Sequence, residues 1–211
     1  RVGGGLFSPI APASREWRLI GAADSNQDGG PDMFFQHTDG TLAVWRMAGV
    51  KLMNGSLMNP SRATPADWRA VALGDFNADS KTDLVFQHRN GNVAVWFLND
   101  GHRLSGDVLG PGHPGDARWK VAGVGDFNGD RKPDLLWQHT DGTLAVWLMA
   151  GTKLSSAGLL NPTSPGAASW QVMAVADYDR DQKADLLFQH ADGTLAVWFM
   201  DGTKLVRASL L

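Results

Sequence analysis

The sequence predicts an all-β protein, a β-propeller of four four-stranded blades forming a single domain over residues 1–211. The chain repeats at an interval of 51 residues, and every repeat divides into short apolar runs separated by glycine-containing turns. No segment sustains the apolar period of a helix. Short strands that are apolar on both faces must be covered by similar units on both sides, and a propeller provides that cover.

The repeats are in register with four tryptophans and span about residues 17–67, 68–118, 119–169 and 170–211. Residues 1–16 precede them and are predicted to hold a remnant fourth strand and a loop, because Gly4–Pro9 aligns with Gly55–Pro60. Each tryptophan opens a strand of small apolar residues. This strand is predicted to be innermost, because small side chains allow strands to converge.

The turns define the other three strands of each repeat. A second apolar run, such as Asp83–His88, leads into an Asp-Gly or Asn-Gly turn, which is a strong hairpin signal. The third strand reads Leu-Ala-Val-Trp or Val-Ala-Val-Trp. A more polar fourth strand is predicted over about residues 51–58, 103–109, 153–160 and 204–211. Loops rich in Pro, Gly and Ser, the first at 59–66, then join the repeats.

One acidic loop of nine residues lies between the first and second strands of every repeat. Oxygen-bearing side chains occupy its positions 1, 3, 5 and 9, where thirteen of the 22 acidic residues lie. These carboxylates would repel each other without a divalent cation, and Ca²⁺ binds about six to eight oxygens. With a backbone carbonyl from position 7, the predicted ligands of about four calcium ions are Asp24, Asn26, Asp28, Gly30 and Asp32; Asp75, Asn77, Asp79, Lys81 and Asp83; Asp126, Asn128, Asp130, Lys132 and Asp134; and Asp177, Asp179, Asp181, Lys183 and Asp185.

Two other interpretations of the loops fit the sequence less well. An EF-hand requires a bidentate Glu at position 12, where this chain has Phe35, Phe86, Trp137 or Phe188. Turns satisfied by their own backbone need one or two Asp or Asn residues. They do not need a further Asp at position 9 in all four copies.

The loop pattern Gly-Asp-Phe-Asn-x-Asp-x-x-x-Asp-Leu, at Gly74–Leu84 and Gly125–Leu135, resembles the FG-GAP and VCBS repeats. Such repeats build the calcium-bearing propeller heads of integrin α chains, propellers of bacterial secreted proteins and some fungal lectins. The resemblance covers all four repeats and implies a calcium-loaded propeller. Family propellers usually have about seven blades. This chain departs from them in its repeat number and lacks the Phe-Gly and Gly-Ala-Pro signatures.

Two further repeated positions are candidate ligand-binding residues. Exposed tryptophan faces would stack on sugar rings, and histidines would contact their hydroxyl groups. The expected role of both positions is structural, the tryptophans in blade-to-blade packing and the Gln-His pairs in hydrogen bonds to loops or strand ends, and ligand binding is the alternative. The candidates are Trp45, Trp96, Trp147, Trp198, His37, His88, His139 and His190.

No catalytic residues are predicted. The sequence has no Ser-His-Asp spacing and no phosphate-binding glycine loop, and its only Glu is Glu16. We therefore expect a protein that is not an enzyme. A secreted hydrolase or lyase with its site at the propeller mouth is the alternative from another class.

Composition and charge restrict the partners and the location. Lys and Arg are scattered, which argues against nucleic acid, and no run approaches the about 18 apolar residues of a membrane helix. The net charge of −3 would become about +5 with four calcium ions (−3 + 8). Weak calcium sites fill where calcium is millimolar, which favours a secreted, extracellular location, and the resemblance suggests a bacterial source.

We expect an extracellular module that binds a glycan or a protein, alone or as an accessory domain of a larger secreted protein. The alternative among binding functions is a dedicated multivalent lectin with one sugar site per blade. A propeller must also hide its edges. A monomeric four-bladed ring is expected, and an eight-bladed ring made by a homodimer is the alternative.

Overall fold

The computed structural model describes residues 7–8, 12, 14–63 and 67–211, and these residues form strands and loops without a helix. None of their elements is therefore a helix that could cross a membrane. The strands in chain order are β1 (Trp17–Ala23), β2 (Asp32–His37), β3 (Thr41–Ala48), β4 (Lys51–Arg62), β5 (Trp68–Gly74), β6 (Asp83–His88), β7 (Val93–Asn99), β8 (His102–Val108), β9 (Trp119–Gly125), β10 (Asp134–His139), β11 (Leu144–Ala150), β12 (Lys153–Leu159), β13 (Trp170–Ala176), β14 (Asp185–His190), β15 (Leu195–Asp201) and β16 (Lys204–Leu210).

Four antiparallel units of four strands each make up the fold, and we call them blades 1 to 4. Each blade pairs its strands in chain order, from β1–β4 to β13–β16. The predicted all-β, four-stranded repeat is confirmed. One boundary was wrong: β4 runs to Arg62, so it includes the first half of the loop predicted at 59–66.

Small residues in the innermost strands let neighbouring blades approach closely. A Cβ atom added at Gly123 in β9 would collide with Val175 in β13, and one at Gly21 in β1 would lie 3.2 Å from Leu73 in β5. The innermost strands therefore converge at glycine positions, as the sequence predicts.

Single parallel bridges link the outer parts of successive blades. Asn59 in β4 pairs with His102 in β8, and Asn161 pairs with Lys204. Ser8 pairs with Lys51 in the same way, so it lies where Asn59 lies one repeat later. The remainder of the predicted N-terminal strand remnant falls largely on residues 1–6, 9–11 and 13, outside the described residues.

The apolar core lies between the blades, at three equivalent interfaces. In the first of them, side chains of β2 and β3, including Phe34 and Val44, pack against Phe86 and Trp96 of blade 2. The second interface joins blades 2 and 3, and the third joins blades 3 and 4. Each blade thus needs a neighbour on both faces to bury its apolar residues.

The blades follow one another as an arc. The innermost strands β1, β5, β9 and β13 contact each other in that order, and no contact of similar extent joins β13 to β1 within the described residues. The exposure of equivalent residues agrees with this arrangement. Leu136 and Leu144 of blade 3 are 0% exposed, whereas Leu187 and Leu195, their counterparts in blade 4, are partly exposed. The structure therefore does not confirm the four-bladed ring.

Candidate functional site

Each acidic loop connects the first two strands at one end of its blade. The Asp at position 9 is the first residue of the second strand and is 0–1% exposed in all four copies. The side chains at positions 1, 3 and 5 lie closer to solvent. One buried carboxylate therefore forms the floor of each loop, and the other predicted ligands lie above it.

The carboxylate at position 1 organises the turn. In the third loop, Asp126 accepts backbone hydrogen bonds from Gly129 at 2.7 Å, Asp130 at 3.2 Å and Arg131 at 2.7 Å. The carboxylate at position 5, Asp130, accepts one from the backbone N–H of Lys132 at 2.9 Å. These bonds wrap the chain around the acidic side chains.

Positions 4 and 6 of every loop have a left-handed backbone. At position 6, φ is +86° for Gly29, +63° for Ser80, +62° for Arg131 and +69° for Gln182. A residue other than glycine in this conformation costs roughly 1 kcal/mol or more. Every loop has at least one residue other than glycine in this conformation, at position 4, position 6 or both, and strain that recurs in this way is typical of a functional turn.

The buried Asp at position 9 connects the loop to the third strand. Asp134 accepts hydrogen bonds from the backbone N–H of Phe127 at 2.9 Å and of Met149 at 2.8 Å. Burial, reinforced by the nearby charges of Asp130 and Asp126, raises the pKa of Asp134 to about 6. Burial likewise raises the pKa of Asp83 to about 6. A bound cation would oppose these effects by stabilising the ionised carboxylate.

The fourth loop gathers its carboxylates most tightly. One oxygen from each of Asp177, Asp179 and Asp185 lies within 4.8 Å of the others. Two oxygens bound to one Ca²⁺ at 2.3–2.6 Å lie at most about 5 Å apart. The spacing of these oxygens therefore fits a single calcium ion. Asp179, at position 3 where the other loops have Asn, supplies one of the three carboxylates.

Neighbouring loops contact each other. The Thr82 hydroxyl donates to the backbone carbonyl of Asp24 at 2.7 Å, and the Gln27 side chain donates to the carbonyl of Ser80 at 3.2 Å. At position 7, the ammonium group of Lys183 lies 2.9 Å from Asp201 and 3.8 Å from Asp181. That lysine thus extends from the loop into ion pairs, and its backbone carbonyl remains the predicted ligand.

At the opposite end of the blades, the Gln of each Gln-His pair connects its blade to the next one. The Gln36 amide donates to the carbonyl of Trp68 at 3.2 Å and accepts from the N–H of Ala70 at 3.0 Å. Gln87 and Gln138 make the same pair of bonds to the following blades. Within the described residues, Gln189 of blade 4 makes no such bond. The sequence predicts hydrogen bonds from the Gln-His pairs to loops or strand ends, but it does not predict that the Gln bonds reach the following blade.

The His of each pair packs on the tryptophan that opens its own blade, with ring centroids 4.9–5.0 Å apart. His37 also lies 2.9 Å from Asp39 in the hairpin turn, and this contact raises the pKa of His37. His139 and His190 pair with Asp141 and Asp192 in the same way. The candidate histidines are therefore integrated into the hairpin at this end of the blade.

The candidate tryptophans of the third strands lie against the aromatic residues of the second strands, at 4.8–5.1 Å between ring centroids. Trp96, Trp147 and Trp198 are 9% exposed or less, and Trp45, on the uncovered face of blade 1, is half-buried. Three of the four rings are thus buried in the packing between blades, the role that the sequence favours.

The end of the blades that carries the Gln-His pairs is called the histidine end. A concave cavity of about 710 Å³ lies there, between the first three blades. Its lining includes His37, His88 and Trp68, together with charged residues that sequence reasoning missed. Three of these charged residues occupy the same position of the repeat, directly after the opening tryptophan. That recurrence is the sequence pattern from which they could have been predicted. They are Arg18, Arg69 and Lys120.

Three comparisons place the chain among known proteins. The family model described as FG-GAP-like repeat matches residues 24–86, 75–137 and 126–188. No curated protein matches the sequence. Among solved structures, the Dos1 propeller is similar with a TM-score of 0.53 and 13% identity, covering 92% of this chain and 47% of that chain. A Photorhabdus luminescens Tc holotoxin pore is similar with a TM-score of 0.50 and 16% identity, covering 94% of this chain and 12% of that chain.

The two structural likenesses show the propeller-type fold alone, and this chain spans about half of the Dos1 propeller chain. The family matches overlap one another and together run from the first acidic loop to the second strand of blade 4. They therefore cover well over half of the sequence. The chain belongs to the FG-GAP-like repeat family.

Proposed function

We propose that the chain is a calcium-loaded, extracellular binding module for a glycan or a protein, and that it is not an enzyme. The observation that carries the proposal is the acidic loop, which recurs with a buried Asp at position 9 and a left-handed backbone at position 6. The module would act alone or as an accessory domain of a larger secreted protein, and we expect a bacterial source.

Calcium explains why the loops tolerate both strain and charge repulsion. Each loop holds three or four carboxylates within nine residues, and a divalent cation would neutralise them. The strained turn at position 6 would then be compensated by the ion that it helps to enclose. We infer one ion per loop, about four in total.

A site shared between blades is favoured over one sugar site per blade. Three of the four candidate tryptophans are buried between blades, which leaves their faces without access to a sugar. The 710 Å³ cavity, by contrast, is lined by residues of blades 1, 2 and 3. The His-Asp pairs recur in three hairpins, which suits a role in blade architecture better than a catalytic role.

Immobilised glycans and extracellular proteins, probed in calcium and again in EDTA, test this proposal. We expect selective binding in calcium and weaker binding in EDTA, because the loops hold the blades that form the cavity. Binding of equal strength in EDTA would contradict the role of calcium. Cleavage of a bound glycan, detected by mass spectrometry, would contradict a purely binding function.

We also propose that two copies of the chain close an eight-bladed ring. The exposed edge of the arc at blade 4 presents Leu187, Leu195 and Gln189, whose amide makes no interblade hydrogen bond within the described residues. At blade 1 the arc presents Leu19, which is 49% exposed and is the repeat counterpart of Ala70, the residue that Gln36 binds. The exposed faces of blade 4 and blade 1 are therefore the two complementary halves of the blade-to-blade interface that the chain already forms three times.

The arrangement of the blades favours a second copy over closure within one chain. Within the described residues, blades 1 and 4 of the same chain share no extended contact, so a four-bladed ring would require the arc to tighten. Two arcs related by a two-fold axis would cover both exposed ends at once.

Light scattering in calcium distinguishes the two assemblies. We expect about twice the chain mass of 22.7 kDa for the unmodified protein, and the mass of a single chain for Leu195→Glu, which places a charge on the uncovered face. Leu104→Glu, on the exposed strand β8, is the matched control and should leave the dimer intact. A single-chain mass for the unmodified protein would support the four-bladed monomer and contradict the dimer.

A further inference from the structure

The cavity at the histidine end collects positive charge. Arg18, Arg69 and Lys120 occupy the same position of three consecutive repeats and all contribute to its lining. This position lies six residues before the first Asp of its acidic loop, as Arg18 does before Asp24, and six residues of extended strand span about 20 Å at 3.3 Å per residue. The cavity is therefore distinct from the metal sites.

These three cations have no carboxylate partner. Within the described residues, no Asp or Glu oxygen lies within 4.0 Å of their nitrogen atoms, and the remaining residues of the chain include no Asp or Glu. The two acidic residues of the lining are already paired, Glu16 with His37 at 3.1 Å and Asp67 with Arg89 at 2.9 Å. The lining holds four Lys or Arg and two acidic residues, a balance of +2 (4 − 2).

The packing holds one of the cations in place. The Arg18 guanidinium donates to the Ala70 carbonyl at 2.5 Å, to Gln36 at 3.3 Å and to the Leu19 carbonyl at 3.5 Å. Because a guanidinium has about five N–H groups, two of them remain for a ligand. Burial lowers the pKa of Arg18 to about 10, with a further contribution from Arg69. A partly buried and uncompensated charge of this kind favours a bound anion.

We propose that the cavity binds the carboxylate or sulfate group of an acidic saccharide, held between Arg18, Arg69 and Lys120. Trp68, only half-buried, and the aliphatic side chains of Val71 and Val121 provide apolar area for the face of a sugar ring. The exposed hydroxyl of Thr38 and the ring of His88, both in the lining, provide partners for hydroxyl groups. The volume lies within the range of small-ligand sites, about 300–1,000 Å³, rather than that of a flat protein interface.

This inference rests on the proposed function, since it names the glycan class, but none of the cavity residues that it uses is a predicted calcium ligand. The test is isothermal titration of the full chain in calcium. The probes are a galacturonate trimer, a sulfated galactose trimer and a neutral galactose trimer. Inorganic sulfate and a pentaglutamate peptide are titrated as the other possible sources of an anionic group.

We expect one or both acidic trimers to bind more tightly than the other probes, and Arg69→Gln/Lys120→Gln to weaken that binding by about 10-fold or more, because charge-assisted contacts are lost. Both substituted residues are exposed, so the melting temperature should not change. Lys153→Gln/Lys204→Gln, which removes the same charge from exposed positions in the outer strands β12 and β16, is the matched control and should bind normally.

Three results would overturn the inference. The first is unchanged binding by Arg69→Gln/Lys120→Gln. The second is equally tight binding of the neutral trimer. The third is tighter binding of inorganic sulfate or of the peptide, which would show that the cavity does not select an acidic saccharide. Calcium titration of the same sample distinguishes a failure of this saccharide inference from a failure of the calcium proposal, because the number of ions bound at the loops does not depend on the cavity.

Discussion

Chelation of calcium with EDTA is expected to destabilise the whole fold. At free calcium about ten times the dissociation constant, each site stabilises the folded state by RT ln 11, roughly 1.4 kcal/mol, or about 6 kcal/mol over four independent sites. That sum is comparable with the typical stability of a domain, about 5–15 kcal/mol. The measurement is the melting temperature in calcium and in EDTA, with magnesium added to the second sample to hold ionic conditions similar. An unchanged melting temperature would contradict the calcium assignment.

Asp126→Ala provides the control for that experiment, because each loop supplies its own ligands within nine residues. Calcium titration of this variant should count about three ions instead of four, and the EDTA effect should fall by about a quarter. The contact between Thr82 and Asp24 is a path by which neighbouring loops could influence each other. Loss of all four ions in the variant would show that the sites are shared or strongly coupled.

The second large effect is expected for Asp134→Ala. The Asp134 carboxylate accepts hydrogen bonds from the buried backbone N–H groups of Phe127 and Met149, and alanine leaves both donors without a partner. At about 1–3 kcal/mol for each unsatisfied buried donor, the free energy of unfolding should fall by roughly 2–6 kcal/mol even in EDTA. Urea unfolding in EDTA measures this loss without a contribution from bound calcium.

Asp130→Ala is the matched control in the same loop. Asp130 is exposed, and its carboxylate accepts a backbone hydrogen bond from Lys132 near solvent. In EDTA, Asp130→Ala should therefore lose far less stability than Asp134→Ala, whereas in calcium both variants should lose one ion. Equal losses in EDTA would show that the buried position has no special structural role.

The repeat made most of the secondary structure predictable. Tight turns at Asp-Gly and Asn-Gly, together with the opening tryptophans, indicate where strands begin and end, and these signals depend on residues close in sequence. The exception is β4, which continues to Arg62 through a segment whose proline content predicted a loop. Its outer edge is bridged to β8, a contact that local sequence does not encode.

The candidate calcium ligands were predictable for a similar reason, because all of them lie within nine consecutive residues of each loop. The hydrogen-bond partners of Gln36 and Arg18 were not predictable, because both side chains bond residues of the following repeat. Their effect depends on how closely two blades approach. That distance is set by the glycines of the innermost strands and by the packing between blades.

The sequence by itself determined the four-stranded repeat, the family and the position of every acidic loop, since each depends on short-range pattern and turn chemistry. The tertiary structure decided which tryptophans are buried and that three cations meet in one cavity. It also decided that the blades form an arc with β1 and β13 apart. Those features depend on the angle between blades, which results from many side-chain contacts summed over three interfaces and has no local signature in the chain.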